Sequence, residues 1–471
     1  MLRLRRCCRL TLALTMLLAM ACGGGKGGET PAPTAAITVV PPGPGSGTVT
    51  PTPPAPETEY RMVYREFGAQ QDTYWRVSPQ DPGNREQLAV IAHSDGCGTR
   101  ASLSPDGRLL AYTVQPVGTP CLPESSSAHA HVIDLLRNED EKIAEGIDLR
   151  FTPLWAPDGG LLYLRRYAGT EFLNADVSIL QVKIARKPPP GEETPEPTAP
   201  TPVPEDPVRV ILQDRVSTVL AFIPIGFAGD HKTMYFIQVQ GGTTVATVAG
   251  AYAPGTTEAV ATAEAEARAT ATALANATAT AGGTVEPDAT LVPPETPTPP
   301  ASFVVKLSDQ MIADPSVSPD GTRLAFVVQE LVEGEFVDRV LIADLVAKTV
   351  APLASEGLPP GDQISPVWHP DGQRLAVGTL PQAGEPGAVA LVPTAEGPPA
   401  FMTAPTIGFD QPLAWSPDGK YLAVRSFTGE SLVNPGSPRL DLVAVTGQRL
   451  TLAEGADLLA IGWWKPKEPK P

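Results

Sequence analysis

The chain has 471 residues, among them 54 prolines and 43 glycines, and its formal net charge at pH 7 is −17. Hydrophobic residues make up 42% of it, enough for a globular core, while the proline content indicates segments outside that core. The acidic balance makes nucleic acid an unfavourable partner, because like charges repel phosphate backbones.

The N-terminal residues resemble a bacterial lipoprotein signal. Arginines at positions 3, 5, 6 and 9 precede an apolar stretch from Leu10 to Ala21 that is short for a membrane span. Ala19-Met-Ala-Cys22 resembles a lipobox, which implies that residues 1–21 are removed and that Cys22 is lipidated. An ordinary secretory signal cleaved nearby is the alternative. Without its four arginines, the mature chain carries about −21 charges.

Residues 22–58 are rich in Gly, Pro and Thr and are predicted to be a disordered tether. Residues 59–466 carry the repeats described next, and residues 467–471 are a short tail. Two low-complexity insertions interrupt the repeats, at about 188–207 and 254–300. The second contains an Ala/Thr-rich run without an apolar stripe, which favours a marginal helix or a disordered projection.

One short phrase occurs six times in this region. An apolar triplet begins four residues after the Asp of each copy, and such self-similarity is typical of repeat architectures. The copies are Leu103-Ser-Pro-Asp-Gly, Trp155-Ala-Pro-Asp-Gly, Phe227-Ala-Gly-Asp-His, Val317-Ser-Pro-Asp-Gly, Trp368-His-Pro-Asp-Gly and Trp415-Ser-Pro-Asp-Gly. The triplets begin at Leu110, Leu162, Met234, Leu324, Leu375 and Leu422.

The phrase predicts a tight hairpin turn between two strands. Pro fixes φ at the second turn position, Asp bonds nearby backbone, and Gly accepts the left-handed conformation. The copies lie about fifty residues apart once the insertions are subtracted, which is room for the four strands of a propeller blade. The copy at Phe227 departs from the pattern, with Gly229 for Pro and His231 for Gly.

The motif resembles the WD-like repeat of TolB-type β-propellers. This resemblance implies an all-β propeller, and we expect seven four-stranded blades, with six blades or an open ring as alternatives. The seventh blade is predicted from the chain ends: Leu459 to Trp464 resembles a first strand and Tyr60 to Tyr64 a second. In this alignment Trp464 corresponds to Trp368. Pairing of the two ends would close the ring and remove open sheet edges.

Two cysteines remain in the mature chain besides Cys22. Cys97 and Cys121 flank the Asp106 hairpin and are predicted to form a disulfide, as is common outside the cytoplasm. Two separate thiols are the alternative.

No catalytic motif is found, and no catalytic residue, cofactor or metal is assigned. His129 and His131 are weak metal candidates, because both would point to one face of a third strand, but two solvated histidines are the plainer interpretation. The repeated aspartates are predicted to be structural turn residues, too far apart to bind one ion. They are Asp106, Asp158, Asp230, Asp320, Asp371 and Asp418.

Two functions are compatible with these features. The first is a lipid-anchored, extracytoplasmic, non-enzymatic binding or scaffold protein of the cell envelope, whose partner is an envelope protein, peptide or glycan. It would contact the membrane through its lipid only, and we expect a monomer. The second is a hydrolase or lyase with its site in the channel mouth, since fold alone does not decide function. Acids, histidines or arginines converging in the channel would favour the enzyme; an apolar patch on one face would favour binding.

Overall fold

The computed structural model describes residues 60–464, apart from 122–126, 172–173, 186–206, 217–221, 232, 241–242, 250–301, 333, 355, 360, 396 and 456–457. The described residues form seven four-stranded antiparallel sheets. They contain no α-helix, and hence none with the length and apolar character of a membrane span. The predicted signal, the tether with Cys22, the tail and both insertions except Pro207 lie outside the described residues.

The sheets follow one another along the chain as blades 1 to 7. Blade 1 contains β4 (Thr99–Leu103), β5 (Leu109–Val114), β6 (His129–Asp134) and β7 (Glu139–Glu145). Blade 2 contains β8 (Leu154–Trp155), β9 (Leu161–Glu171), β10 (Asn174–Lys183) and β11 (Val208–Val216). Blade 3 contains β12 (Ile223–Phe227), β13 (Met234–Gln240), β14 (Thr243–Ala249) and β15 (Ser302–Ser308).

Blades 4 to 6 have the same strand order, and blade 7 combines the two chain ends. Blade 4 contains β16 (Ala313–Val317), β17 (Arg323–Val332), β18 (Glu335–Asp344) and β19 (Thr349–Pro352), and blade 5 contains β20 (Gln363–Trp368), β21 (Arg374–Thr379), β22 (Val389–Pro393) and β23 (Ala400–Phe401). Blade 6 contains β24 (Phe409–Trp415), β25 (Tyr421–Phe427), β26 (Pro438–Ala444) and β27 (Arg449–Glu454). Blade 7 contains β28 (Leu458–Trp464), β1 (Arg61–Glu66), β2 (Gln71–Ser78) and β3 (Asp81–Ala92).

The blades form a closed ring around a central axis. The first strands of neighbouring blades contact one another; for example, β16 contacts both β12 and β20. The first strand of each blade is therefore the innermost one. We name the strands of a blade A to D from the axis outward. Because neighbouring strands are antiparallel, the A–B and C–D connections lie on one face of the ring, here the AB face. The B–C and D–A connections lie on the other, the BC face.

Blade 7 closes the ring through the pairing of β28 with β1, where Arg61 lies opposite Trp464 and Met62 opposite Trp463. The prediction of a seven-bladed, end-closed propeller is confirmed, and six blades or an open ring are wrong. The alignment of Trp464 with Trp368 is wrong by one residue. Trp463 faces Met62 as Trp368 faces Leu375, and the bulge that precedes Gly462 has counterparts in the first strands of blades 4, 5 and 6.

The six repeated phrases form A–B turns of one kind. In each, the backbone N–H of the last residue donates to the carbonyl three residues earlier, at 2.7–2.9 Å, and the five glycines have φ between 67° and 70°. His231 takes the same left-handed conformation, with φ 56°, and so keeps the turn in blade 3. Gly229 replaces Pro there because a Cβ at this position would lie 2.5 Å from the carbonyl oxygen of Asp320 in the next blade.

The core lies between blades and depends on complementary side-chain volumes. In blade 4, Leu324 and Phe326 pack toward blade 3, while Ala325 packs toward blade 5 against Trp368. The same alanine–tryptophan pairing joins other blades through Ala111 and Trp155, Ala376 and Trp415, and Ala423 and Trp463. In blade 2 Tyr163 takes the place of the alanine, and the facing residue of blade 3 is Phe227, which is smaller than tryptophan. In blade 3 Tyr235 takes that place, and the facing residue of blade 4 is the still smaller Val317. Close packing makes such compensation necessary.

Contacts between turns of neighbouring blades should contribute measurably to stability. A Cβ at Gly321 would lie 2.4 Å from backbone atoms of Ala228 and Gly229, whereas one at Gly372 meets only Pro319 Cδ at 3.9 Å. Both glycines have left-handed φ, which costs an L-residue about 1–2 kcal/mol. We therefore expect Gly321→Ala to lower the free energy of unfolding by about 1–3 kcal/mol more than Gly372→Ala. Urea unfolding of both variants measures this difference, and equal losses would contradict it.

Candidate functional site

The two faces of the ring differ in what is attached to them. The first insertion separates β10 from β11 and the second separates β14 from β15, so both leave the ring at C–D connections. The described chain begins just before β1 and ends with β28, and these two ends also lie on the AB face. Every long low-complexity segment of the sequence therefore joins the propeller on the AB face.

Exposed large apolar side chains concentrate on the opposite, BC face. Thirteen such residues are exposed in the described part of the chain, and eight of them lie in or beside B–C and D–A connections. These eight are Val117, Met311, Leu331, Val332, Phe336, Ile407, Leu432 and Val433. Isolated exposed apolar residues are ordinary, but their accumulation on one face makes that face the candidate interaction surface.

The B–C hairpin of blade 4 carries the largest share of these side chains. Strands β17 and β18 pair along ten residues each, whereas β16 and β19 have five and four, so the hairpin extends beyond the rest of its blade. At its end Leu331 lies directly opposite Phe336, and they are 65% and 51% exposed. Met311 lies in the adjoining D–A connection, where the Gln310 amide donates to the carbonyl of Gln329. The hairpin thus presents an apolar pair supported from one side.

Blade 6 presents a second apolar point on the same face. Its B–C connection contains a tight turn in which Asn434 N–H donates to Ser431 O at 3.1 Å. The two residues at the apex are Leu432 and Val433, although Gly, Asn and Asp usually occupy such positions. Ile407, in the D–A connection before this blade, is also exposed. These apolar side chains at loop apices have no role in the core.

Beneath the BC face, where blade 7 meets blade 1, lies a buried ionic cluster. Asp72 accepts hydrogen bonds from Thr99 N–H at 2.7 Å and Thr99 Oγ1 at 2.6 Å, and Arg65 Nη1 lies 3.6 Å from it. His93 Nε2 is 3.3 Å from Asp72 Oδ1, and its Nδ1 is 2.8 Å from the Ser94 carbonyl. Each imidazole nitrogen thus has an acceptor at hydrogen-bond distance, as a charged ring requires, and Nδ1 also lies 3.3 Å from the Gly98 N–H. The group joins strands of two blades.

The environment of this cluster shifts both pKa values toward the charged forms. Burial opposes charge on His93, but hydrogen bonds with Asp72 and the Ser94 carbonyl outweigh it and raise the pKa of His93. Burial also opposes charge on Asp72, but the hydrogen bond with His93, the charge of Arg65 and the bonds from Thr99 lower the pKa of Asp72. Neither His93 nor Asp72 is accessible to solvent, so the cluster acts as a structural tie.

The predicted cysteine pair lies directly above the cluster. Cys97, in the D–A connection between blades 7 and 1, is joined by a disulfide to Cys121, in the B–C connection of blade 1, with Cα atoms 5.6 Å apart. The bridge closes a loop of 24 residues, for which chain entropy suggests about 3 kcal/mol of stabilisation. It links the closure blade to its neighbour on the BC face.

The structure places the six repeated aspartates in the A–B turns of blades 1 to 6. Each carboxylate accepts a hydrogen bond from the backbone N–H two or three residues further on, such as Gly160 to Asp158 at 2.8 Å and Gln373 to Asp371 at 2.8 Å. Their oxygens are therefore used within their own turns, one turn per blade.

His129 and His131 lie on β6, the third strand of blade 1, with ring centroids 6.1 Å apart. His131 Nδ1 is 2.9 Å from Asp140 Oδ2, and its ring stacks on Tyr112 at 5.0 Å. Burial, followed by the charge of Lys142, lowers the pKa of His129. Within the described residues, no group of three or more His, Cys, Asp or Glu side chains is arranged to hold a metal ion.

The inner wall of the ring is poor in chemically reactive side chains. The seven A strands contain three charged residues, Arg100, Asp314 and Asp410, and no histidine. Asp410 is buried and paired with Arg449, while Arg100 and Asp314 belong to blades 1 and 4, on opposite sides of the ring. On the wall, Ser365 Oγ donates to Asp314 Oδ2 at 2.7 Å and accepts from Gln411 Nε2 at 2.9 Å.

Sequence reasoning missed the apolar residues of the BC face. The signal that was available is local: Leu331 and Phe336 flank a turn containing Gly334, within a run otherwise made of glutamates and valines. Apolar residues beside a predicted turn are unusual when turn residues face solvent. The buried cluster was also missed, because its members are far apart in the sequence.

The charged His93 and Asp72 give the stability a definite pH dependence. A histidine whose pKa is raised by folding stabilises the native state fully below the unfolded pKa of about 6.5, and this stabilisation is lost as the pH rises through the native pKa. An aspartate whose pKa is lowered by folding stabilises the native state above about pH 3.9, and this stabilisation is lost as the pH falls through the native pKa. We expect the stability lost in His93→Gln to be larger near pH 5.5 than near pH 9. Urea unfolding at both pH values measures it. His129→Gln is the control and should show the opposite trend, since its pKa is lowered; a parallel trend would contradict the account.

No protein-family model matches the sequence, and no curated protein matches it. Solved structures with a similar fold include TolB from Acinetobacter baumannii, at 14% identity and TM-score 0.40, covering 86% of this chain and 83% of that one. A prolyl endopeptidase has 13% identity and TM-score 0.45 over 86% of this chain, which spans 51% of that protein. The periplasmic gluconolactonase of Pseudomonas aeruginosa has 13% identity and TM-score 0.44, and the match covers 85% of this chain and 99% of that one. Likeness at these identities concerns the fold alone: the chain is a seven-bladed β-propeller.

Proposed function

We propose that this protein is a lipid-anchored, extracytoplasmic β-propeller that acts as a non-enzymatic binding or scaffold protein of the cell envelope and contacts its partner through the BC face. The observation that carries the proposal is the difference between the faces. The chain ends and both insertions join the AB face, and most exposed large apolar side chains lie on the BC face.

In this arrangement the tether and both insertions are attached on the face opposite to the BC face. A tether from Cys22 to residue 58 would reach β1 from the AB side, and a Gly- and Pro-rich chain of this length spans about 30 Å or more. A protein held in this way can turn its BC face away from the bilayer. The disulfide between Cys97 and Cys121 supports an oxidising compartment, where such bonds persist.

The hairpin of blade 4 has the character of a binding anchor. Full burial of a Leu or Phe side chain contributes about 1.5–3 kcal/mol, so Leu331 and Phe336 together supply a substantial part of a specific interface. Their backbone is fixed by ten paired residues, which limits the entropy lost on binding. In the free protein these side chains are exposed without a structural benefit.

The proposal predicts that capture of an envelope partner depends on this hairpin. We expect C-terminally tagged protein to enrich a partner from detergent-solubilised envelope, and Leu331→Ser/Phe336→Ser to reduce that enrichment about tenfold or more, because tenfold corresponds to about 1.4 kcal/mol. Quantitative mass spectrometry measures the enrichment.

The matched control is Val346→Ser, which removes a side chain that is 72% exposed on the AB face of the same blade. It should retain full enrichment. All three proteins should melt alike, since the altered residues are exposed. Equal enrichment by all three proteins would contradict binding through the BC face.

The anchor has a separate test. If Cys22 is lipidated, cells fed radiolabelled palmitate should label the wild type but not Cys22→Ala, because attachment requires the Cys22 thiol. Cys8→Ala, which alters a cysteine of the predicted signal, should remain labelled. Equal labelling of the wild type and Cys22→Ala would rule out this anchor, and absence of label in all three proteins would favour an ordinary secretory signal.

A further inference from the structure

The BC face of blades 4 to 6 is predominantly acidic. Its B–C and D–A connections, together with the adjoining strand ends of the blade 4 hairpin, comprise residues 308–312, 330–338, 353–362, 380–388, 402–408 and 428–437. Nine acidic residues and no lysine or arginine occur in these segments. At their borders, Lys306 pairs with Asp309, and Arg339 Nη1 donates to the Gly361 carbonyl at 2.9 Å. Five of the carboxylates are exposed in the described structure: Asp309, Glu335, Glu356, Glu385 and Glu430. The exposed apolar side chains of these blades therefore lie on a face with an excess of negative charge.

The opposite face of the same three blades is mixed. Its A–B and C–D connections contain Lys348 and Lys420 next to their acidic residues, and Arg323 and Arg374 are the first residues of the strands that follow two of these connections. There Arg374 pairs with Asp371 and Lys420 with Asp418. The excess of negative charge is therefore larger on the BC face and does not simply follow from the acidity of the whole chain.

We propose that the BC face of blades 4 to 6 binds a basic, amphipathic polypeptide segment, with Leu331 and Phe336 as the central apolar contact. This inference rests on the proposed function and deepens it by naming the chemical class of the partner. Apolar side chains of the segment cover the hairpin and the turn at Leu432 and Val433, and its lysines or arginines face the carboxylates.

The chemistry of the face favours such a segment over other occupants. A second copy of this chain would bring carboxylates against carboxylates, and anionic lipid headgroups would meet the same repulsion. A glycan covered by hydroxyl groups needs hydrogen-bond partners wherever it is buried, whereas the exposed side chains at the centre are aliphatic apart from Phe336. A basic amphipathic polypeptide satisfies both the apolar and the charged parts of the surface.

Charge and apolar contact make separable contributions to binding. The carboxylates beside the anchor, Glu330 and Glu335, share the hairpin with it, and Asp309 lies in the adjoining connection. Exposed charges accelerate association and lose their effect as salt is added. Binding should therefore weaken with ionic strength, whereas loss of Leu331 and Phe336 should weaken it at every salt concentration.

The test uses the purified, delipidated protein and a defined probe. The probe is a fluorescent amphipathic peptide of leucine and lysine, about four helical turns long, and matched peptides carry glutamate or serine in place of every lysine. Fluorescence anisotropy gives the dissociation constants. We expect the lysine peptide to bind at least about tenfold more tightly than either matched peptide, and Leu331→Ser/Phe336→Ser to lose about tenfold in affinity.

Two controls address the specificity of the site. Val346→Ser should bind like the wild type. Asp309→Asn/Glu330→Gln/Glu335→Gln should weaken binding and flatten its salt dependence, whereas the control Asp81→Asn/Glu139→Gln/Glu141→Gln removes exposed acids away from the face and should change little. Equal weakening by both triple variants, or affinity unaffected by Leu331→Ser/Phe336→Ser, would overturn the inference.

Failure of this inference can be told apart from failure of the proposed function. If the hairpin variant loses the envelope partner while the lysine peptide binds no better than the glutamate or serine peptide, the BC face is a binding face but its partner is not basic. If envelope capture is also independent of the hairpin, the proposed function itself is wrong.

Discussion

The structure depends on matched side-chain volumes between neighbouring blades. In four of the interfaces the B strand presents an alanine to the next blade, and the A strand of that blade fills the space with a tryptophan, as Ala325 and Trp368 do. Where the B strand presents Tyr163 or Tyr235 instead, the facing residue is smaller. In the tryptophan pairs at positions 155 and 368, the indole N–H also donates to a carbonyl of the preceding blade, Ser102 O at 3.3 Å and Ser316 O at 2.9 Å. Because each interface fixes one blade against the next, seven such steps define the ring.

Closure of the ring explains why its two faces can serve different purposes. Strand direction alternates within each blade, so every connection of one kind emerges on the same face. Both insertions are attached at C–D connections, which emerge on the same face as the ends of β1 and β28, and neither is attached on the BC face. The additional ties between blades 7 and 1, namely the His93–Asp72 cluster and the disulfide, reinforce the place where the ring is closed by strands from opposite ends of the chain.

The repeating part of this structure was predictable from sequence because its determinants are local. A Pro-Asp-Gly turn and a triplet at a fixed distance specify a hairpin, and six copies specify most of a propeller. The register of the last blade was not predictable, because its first strand ends in two consecutive tryptophans, Trp463 and Trp464, and only the strand pairing shows that Trp463 faces Met62. The role of Gly229 also required the structure, since it depends on Asp320 in another blade. Likewise, the exposure of Leu331 follows from the lengths of the neighbouring strands, which no local pattern sets.

If the proposed function is correct, the partner contacts the BC face while the tether is attached on the AB face. Site-specific photocrosslinking in intact cells tests it most directly, with p-benzoylphenylalanine placed at Phe336 on one face or at Val346 on the other. The account predicts a discrete protein adduct from position 336 and none from position 346. An adduct from position 346 alone, or the same adduct from both positions, would contradict it.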